Sequence, residues 1–438
     1  MTEAFLYFLW QFRYFDHAGL MTTDGEPVDI LHPGFRNPNA GPDFLNARLL
    51  INDVEWVGTV EAHVKASDWL AHKHQHDRAY DNVILHIVWT DDRPTQPELP
   101  GMARPRPTRT DGSPLPTLEL HGRTGADLLG RYQALTESPD TIPCAGQFRA
   151  VKPLRITAML DKVMLQRLER KAADVKALYE ATQDWEETAY RLLAINFGFK
   201  INAEPMAQLS RAVPHKALMK HRNSIRQIEA ILFGTSGLLD GFEEPDEYAT
   251  DLRQEYRFLA AKYDLAEKQL PAHVWKWGRL RPANFPTLRL AQFARLIANH
   301  GSLFSLFVGI DDAPALLKKL QITPTDYWKS HYRFGKTTEK AAPTLGEASA
   351  QNILINTVAP LLAAYAHHRD RQEYIDRAIA LLEQLPPERN TITKGWSALG
   401  LDVRSAFDSQ ASIELFNAFC TPKKCLSCQI GADLVGHK

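Results

Sequence analysis

The rhythm of apolar residues changes once along the chain, near residue 150, and this limits the fold more than any other feature. Before that point the apolar runs are short, and Gly, Pro, Asn and Asp punctuate them, as they do strands. From about Leu154 apolar residues recur at helical spacing as far as Phe419. Helices are expected at Ile156–Ala181, Trp185–Phe197, Ser224–Phe233, Ala249–Tyr263, Thr287–Asn299, Ile353–His367 and Gln372–Leu385. Pro282, Pro286, Pro324 and Pro386-Pro387 read as breaks between them. No fixed-period repeat supports a solenoid. The expected fold class is therefore α/β plus all-α, with an α/β domain over residues 1–140 and a helical domain over 150–438.

Charge follows the same division. Residues 1–120 hold 10 Lys and Arg against 17 Asp and Glu, whereas residues 151–232 hold 14 against 9. The net charge of −1 over 438 residues argues against a polyanion binder acting through its whole surface, but leaves local patches open. No run reaches the ~18 consecutive apolar residues of a membrane span, and the first residues lack the basic start of a signal peptide. Only four cysteines occur, three of them within the last twenty residues, unlike a secreted disulfide scaffold. A cytoplasmic protein without membrane contact is expected.

Within the front part, residues 3–16 place Phe5, Leu6, Leu9, Trp10 and Phe12 at helical spacing. Strands follow at Val28–Leu31, about Leu45–Ile51 and Glu55–Lys65, with Asn52-Asp53 as a hairpin turn. Ser67-Asp68 opens a polar helix running to about Asp77, and Val83–Trp89 reads as a buried strand. Pro94–Pro116 is a loop-rich excursion, and Thr117–His121 adds one more strand.

Chemistry concentrates on the third of those strands. Side chains alternate along a strand, so Glu61, His63 and Lys65 share one face while Val60, Ala62 and Val64 take the core side. Asp43, after Pro42 on the strand joined through the hairpin, can lie beside Glu61. Two adjacent carboxylates suit Mg²⁺ or Mn²⁺, and a neighbouring imidazole or amine can orient or deprotonate a water.

This pattern resembles the PD-(D/E)XK, or restriction-endonuclease-like, nuclease superfamily, whose core runs helix, three strands, helix, strand. The resemblance covers the first quarter of the chain. It implies that Pro42-Asp43 is the PD element and Glu61 the second acidic ligand of a divalent metal. His63 stands where that family usually has Lys, so His63 or Lys65 would activate the water. The implied function is metal-dependent cleavage of phosphodiester bonds in DNA or RNA. The alternative is a scaffold that retains the fold and binds nucleic acid or protein without catalysis.

A second cluster follows at Asp68, Trp69, His72, His74, His76, Asp77, Tyr80 and His86. His72 and His76 have the i,i+4 spacing that can bind Zn²⁺ on a helix, although no H-E-x-x-H motif is present. A Zn²⁺ hydrolase built on Glu61, His63, His72 and Asp77 is a third reading; the plainer one is a polar helix face and a core His86.

At the other end, Cys420-x4-Cys425-x2-Cys428, joined by Cys144, could hold Zn²⁺ or an iron–sulfur cluster. The arrangement is similar to the iron–sulfur staple of some helicase-associated and CRISPR-associated nucleases. Trp275-Lys276-Trp277-Gly278-Arg279-Leu280-Arg281 interleaves cations with aromatics and could contact nucleic acid; otherwise it is a Trp-anchored loop. Taken whole, the chain resembles an uncharacterised bacterial family, a domain of unknown function. That resemblance rests on Gly41-Pro42-Asp43-Phe44, Gly58-Thr59-Val60-Glu61-Ala62-His63, Asn82-Val83-Ile84-Leu85-His86, Arg281-Pro282-Ala283-Asn284-Phe285-Pro286 and Lys424-Cys425-Leu426-Ser427-Cys428, and it implies no activity. Oligomeric state is not written in the sequence.

Overall fold

Thr2 starts the first helix, α1 (Glu3–Phe12), by accepting the backbone N–H of Phe5 with its hydroxyl at 3.4 Å. Arg13, in the left-handed conformation, ends it. Phe5, Leu6, Phe8, Leu9 and Trp10 are buried on its inner side, each contributing about 1.5–3 kcal/mol of apolar burial. The computed structural model describes residues 1–93, 106–240, 246–339 and 344–436.

After α1 the chain forms a curled mixed sheet. Its strands are β1 (Val28–His32), β2 (Phe35–Arg36), β3 (Phe44–Ile51), β4 (Val54–Lys65), β5 (Val83–Thr90) and β6 (Thr117–Glu119). The order across the sheet is β1-β3-β4-β5-β6, with β2 also on β3. β1, β3 and β4 pair antiparallel, and β5 and β6 then continue parallel. Asn52 and Asp53 both take positive φ, 50° and 61°, as a two-residue hairpin of this hand requires. Gly58 is needed where β4 approaches β5, because a Cβ there would sit 2.5 Å from the Ile84 side chain and 2.6 Å from the Asn82 carbonyl oxygen. α1 packs against β4. The expected loop over Pro94–Pro116 lies partly outside the described residues; from 106 onward it is irregular, with a bridge between Thr108 and Pro114.

Two departures from the sequence reading shape this part. The polar helix to Asp77 is only one turn, α2 (Asp68–Ala71), because Lys73 takes a φ of 63° and breaks it. Two 3₁₀ turns, His74–His76 and Arg78–Tyr80, complete the crossover to β5. The core is not confined to the Val60 and Ala62 side of β4 either: Glu61 and His63 on the opposite face are buried too.

From Pro153 on, the described chain is helical apart from a small hairpin, His331–Arg333 with Lys336–Thr337. Helices at Pro153–Thr182, Trp185–Phe197, Ile225–Thr235, Glu247–Tyr263, Pro286–Asn299 and Glu373–Gln384 follow the expected periodicities closely. Ser224 is an N-cap rather than a helical residue, accepting the Gln227 N–H, and Asp184 caps the helix that starts at Trp185. The helix expected over Ile353–His367 contains a π turn at Leu354–Val358.

Two compact units result, Leu160–Leu415 and a front unit of Met1–Met159 with Phe416–Lys438. The C-terminal segment thus groups with the front unit, unlike the expected division at 1–140 and 150–438. The reason is local: helix Gln429–Gly436 buries Ile430, Leu434 and Val435 in the front unit, and Arg131 donates to the Val435 carbonyl at 2.9 Å. Among the described residues no helix is long and apolar enough to cross a membrane.

Candidate metal centre

A β-bulge sets the geometry. The β3–β4 register shifts between Phe44 and Ala47, where Asn46 has a φ of 57°. Beyond the bulge Phe44 faces Val60, which brings Asp43 to the level of Glu61. The backbone N–H of Asp43 donates to Glu61 Oε2 at 3.0 Å, and the N–H of Ala62 donates to Asp43 Oδ2 at 3.1 Å. Arg36 Nη1 donates to Asp43 Oδ1 at 3.1 Å, and the Arg36 guanidinium carbon lies over the Tyr7 ring, 3.9 Å from its centre. Both Asp43 oxygens are therefore bonded within the protein. The expected pair of open carboxylates is not what forms here; only one Glu61 oxygen faces elsewhere.

That oxygen, Glu61 Oε1, faces imidazoles. His63 Nε2 is 3.5 Å away and His74 Nε2 3.7 Å away, and His72 Nδ1 lies 3.1 Å from His63 Nε2. One ligand atom from each of His63, His72 and His74 falls within 4.8 Å of the other two, the one such trio among the described residues. His74 Nε2 is buried with no hydrogen-bond partner. Ligand atoms on a common tetrahedral ion with ~2.0–2.1 Å bonds stand about 3.4 Å apart, and His63, His72 and His74 are the residues whose ligand atoms could be drawn to one.

The surroundings hold these groups neutral. Burial, and then the charge of Asp43, pushes the Glu61 carboxyl up to about 8. Burial, then the neighbouring His74 and His72, pushes His63 down to about 3. Burial is the main cause of the fall at His74 and His86 as well. Neutral imidazoles keep their lone pairs for a metal, and a cation in their midst would favour the ionised Glu61. Behind them, His86 on β5 is fully buried with its Nε2 2.9 Å from His63 Nδ1, an outer partner of the kind that orients metal-bound histidines. Trp69 and Tyr80 pack on His74, with the Tyr80 ring 3.8 Å from the His74 ring.

Several expected participants lie elsewhere. Lys65 is exposed at the end of β4, and its charge acts on Asp92 rather than on the histidines. Asp77 caps a 3₁₀ turn by accepting the Ala79 N–H at 2.9 Å, and His76 is exposed. The His72–His76 pair does not form, since the chain turns at Lys73 and brings in His74 instead. Arg36 and Tyr7 were not anticipated; no spacing in the sequence links them to Asp43.

In the second unit, Trp275 is buried with its indole N–H on the Ser236 carbonyl at 2.8 Å, so it cannot stack on a base. Trp277 is half-buried beneath Arg333, and the backbone of Lys276 is clasped by Asn202. Lys276, Arg279 and Arg281 are the exposed cations of that stretch. The Trp-anchored loop describes it well. Cys144, Cys420, Cys425 and Cys428 are all buried in the front unit.

One family model, described as Protein of unknown function (DUF2851), matches residues 3–391. No curated protein and no solved structure matches the chain.

Proposed function

The chain belongs to the DUF2851 family, and since membership brings no activity with it, we propose from the site alone that this is a metal-dependent hydrolase acting on phosphodiester bonds of DNA or RNA. The observation that carries the metal is the trio His63, His72 and His74, with Glu61 Oε1 beside His63 and His74 and a buried, unpartnered His74 Nε2. Three imidazoles and one carboxylate favour a borderline ion, Zn²⁺ or Mn²⁺, over Mg²⁺. Such an ion, when bound, acidifies a water and polarises a phosphoryl oxygen. Glu61 and the three histidines would be its ligands. Asp43 and Arg36 would position Glu61, and His86 would orient His63. His72 is exposed, which leaves an approach from solvent.

The phosphodiester part rests on the likeness to the PD-(D/E)XK core. In its favour are the order of helix, antiparallel strands, short helix and parallel strand, and the Pro42-Asp43 and Glu61 positions on neighbouring strands. One observation favours a second reading, a binding scaffold with a structural metal: each Asp43 oxygen already accepts a hydrogen bond from the protein, as a supporting group would.

Metal titration of the full chain, paired with cleavage of labelled single- and double-stranded DNA and RNA, separates the two. The hydrolase reading expects one Zn²⁺ or Mn²⁺ at the histidines and metal-dependent cleavage. His72→Ala, at an exposed position, removes a ligand and should weaken that binding by more than the roughly 10–100-fold that loss of an outer partner costs, and abolish cleavage with it. Metal binding with no cleavage of any substrate would favour the scaffold; no binding that depends on His72 would remove both.

A further inference from the structure

Arg289 is buried inside the Leu160–Leu415 unit, only 8% exposed, and its hydrogen-bond partners are all neutral. Nη1 donates to Gln292 Oε1 at 3.0 Å, and Nη2 donates to Asn284 Oδ1 and, at 3.0 Å, to Ser349 Oγ. The guanidinium carbon lies over the Phe199 ring, 4.1 Å from its centre. Nε is buried with no hydrogen-bond partner. Burial alone draws the group down to about 10, so it is still a cation at neutral pH. A buried charge is ordinarily paired with an opposite one, and the Phe199 ring offsets only part of the cost of leaving it alone.

The local chain builds a cavity against this cation. Helix Trp185–Phe197 ends at Gly198, where a Cβ would meet the Asn202 carbonyl oxygen at 2.4 Å, and Phe199 then takes a φ of 44°. The turn leaves a cavity of about 120 Å³ whose apolar walls include Phe197, Phe199, Met206, Trp275 and Leu280. Arg289 and Asn284 supply its polar end. Asn284 gives its side-chain oxygen to Arg289, which leaves its amide N–H groups for a ligand. Pro286, the first residue of helix Pro286–Asn299, is in the same lining and brings the positive end of the helix dipole to it. Ile201 lines the cavity and is exposed, so solvent reaches the cavity there.

Size and charge together select the ligand. An apolar cavity of ~150 Å³ takes benzene, so this one takes about five or six non-hydrogen atoms. A carboxylate carries one negative charge, equal to that of the guanidinium, and accepts parallel N–H bonds from it. A phosphate near pH 8 carries more and would leave charge unpaired among apolar walls. We propose that this cavity binds a small monocarboxylate, its carboxylate on Arg289 and Asn284 and its short apolar chain among Phe197, Met206 and Trp275. The site is separate from the histidines and does not rest on the hydrolase reading.

Calorimetric titration of the full chain at pH 8 with butyrate, neutral butyramide and inorganic phosphate provides the test. Butyrate should bind at least about tenfold more tightly than either of the others, and equally well to His72→Ala. Asn284→Asp sets a carboxylate beside Arg289 with almost no change of shape, and should lower butyrate affinity at least about tenfold, as should Arg289→Gln. The comparison of butyrate with butyramide needs no variant and decides alone should a substitution prevent folding. Absence of butyrate binding, equal binding of butyramide, tighter binding of phosphate, loss in His72→Ala, or unchanged affinity in a folded Asn284→Asp each overturns the proposal.

Discussion

Glu61 uses its two oxygens for different tasks. Oε2 accepts the Asp43 N–H, which fixes the side chain, and this leaves Oε1 pointed at the histidines. The same physics without a metal operates at Glu229 in the other unit. Burial pushes its carboxyl up to about 7, although Tyr248, Thr325 and Trp328 all donate to it. A raised folded-state value means that the folded protein holds a proton that the unfolded chain, near 4.5, has released. Stability should therefore fall as pH rises from about 4.5 through about 7, by an amount on the order of 3 kcal/mol. Glu229→Gln keeps an acceptor for Thr325 and Trp328 and removes the titration. Denaturant midpoints across that range should decline less in the variant than in the wild type. Equal slopes would mean that Glu229 is not the buried acid described here.

At the scale of elements, the site depends on one broken helix. Lys73 in the left-handed conformation turns the chain so that His72 and His74, two apart, face one point. A β-branched residue pays roughly 1–2 kcal/mol for this conformation, whereas glycine adopts it freely. Lys73→Gly should leave metal affinity close to wild type, and Lys73→Val should lower it about tenfold, read by titration of both variants. Loss in both would assign Lys73 a role through its amine rather than its backbone. This break also explains what the sequence could not convey. Alternation along β4 placed Glu61 and His63 on one face, and the hairpin placed Asp43 near Glu61, both from local pattern alone. A polar stretch after Ser67 carries no sign that a lysine will take positive φ, so the i,i+4 pair His72 and His76 was the natural expectation. The bulge at Asn46 was equally silent, and it sets Asp43 level with Glu61, where its oxygens accept from Arg36 and Ala62.

Over the whole molecule, the change of periodicity near residue 150 was legible because helices such as Glu247–Tyr263 and Glu373–Gln384 bury one stripe of their surface. The regrouping of Phe416–Lys438 with the front unit was not, since that segment is joined to it by packing between residues far apart in sequence. Burial on both faces of β4 was hidden for a related reason: the lid of Trp69, His74 and Tyr80 comes from a crossover whose shape is not periodic. The central claim is that one ion sits among Glu61, His63, His72 and His74. Anomalous diffraction at the zinc edge, from crystals of the full chain loaded with Zn²⁺, tests it most directly. The account predicts a peak bounded by Glu61 Oε1, His63 Nε2, His72 Nδ1 and His74 Nε2; zinc found only at other positions, with these four side chains empty, would contradict it.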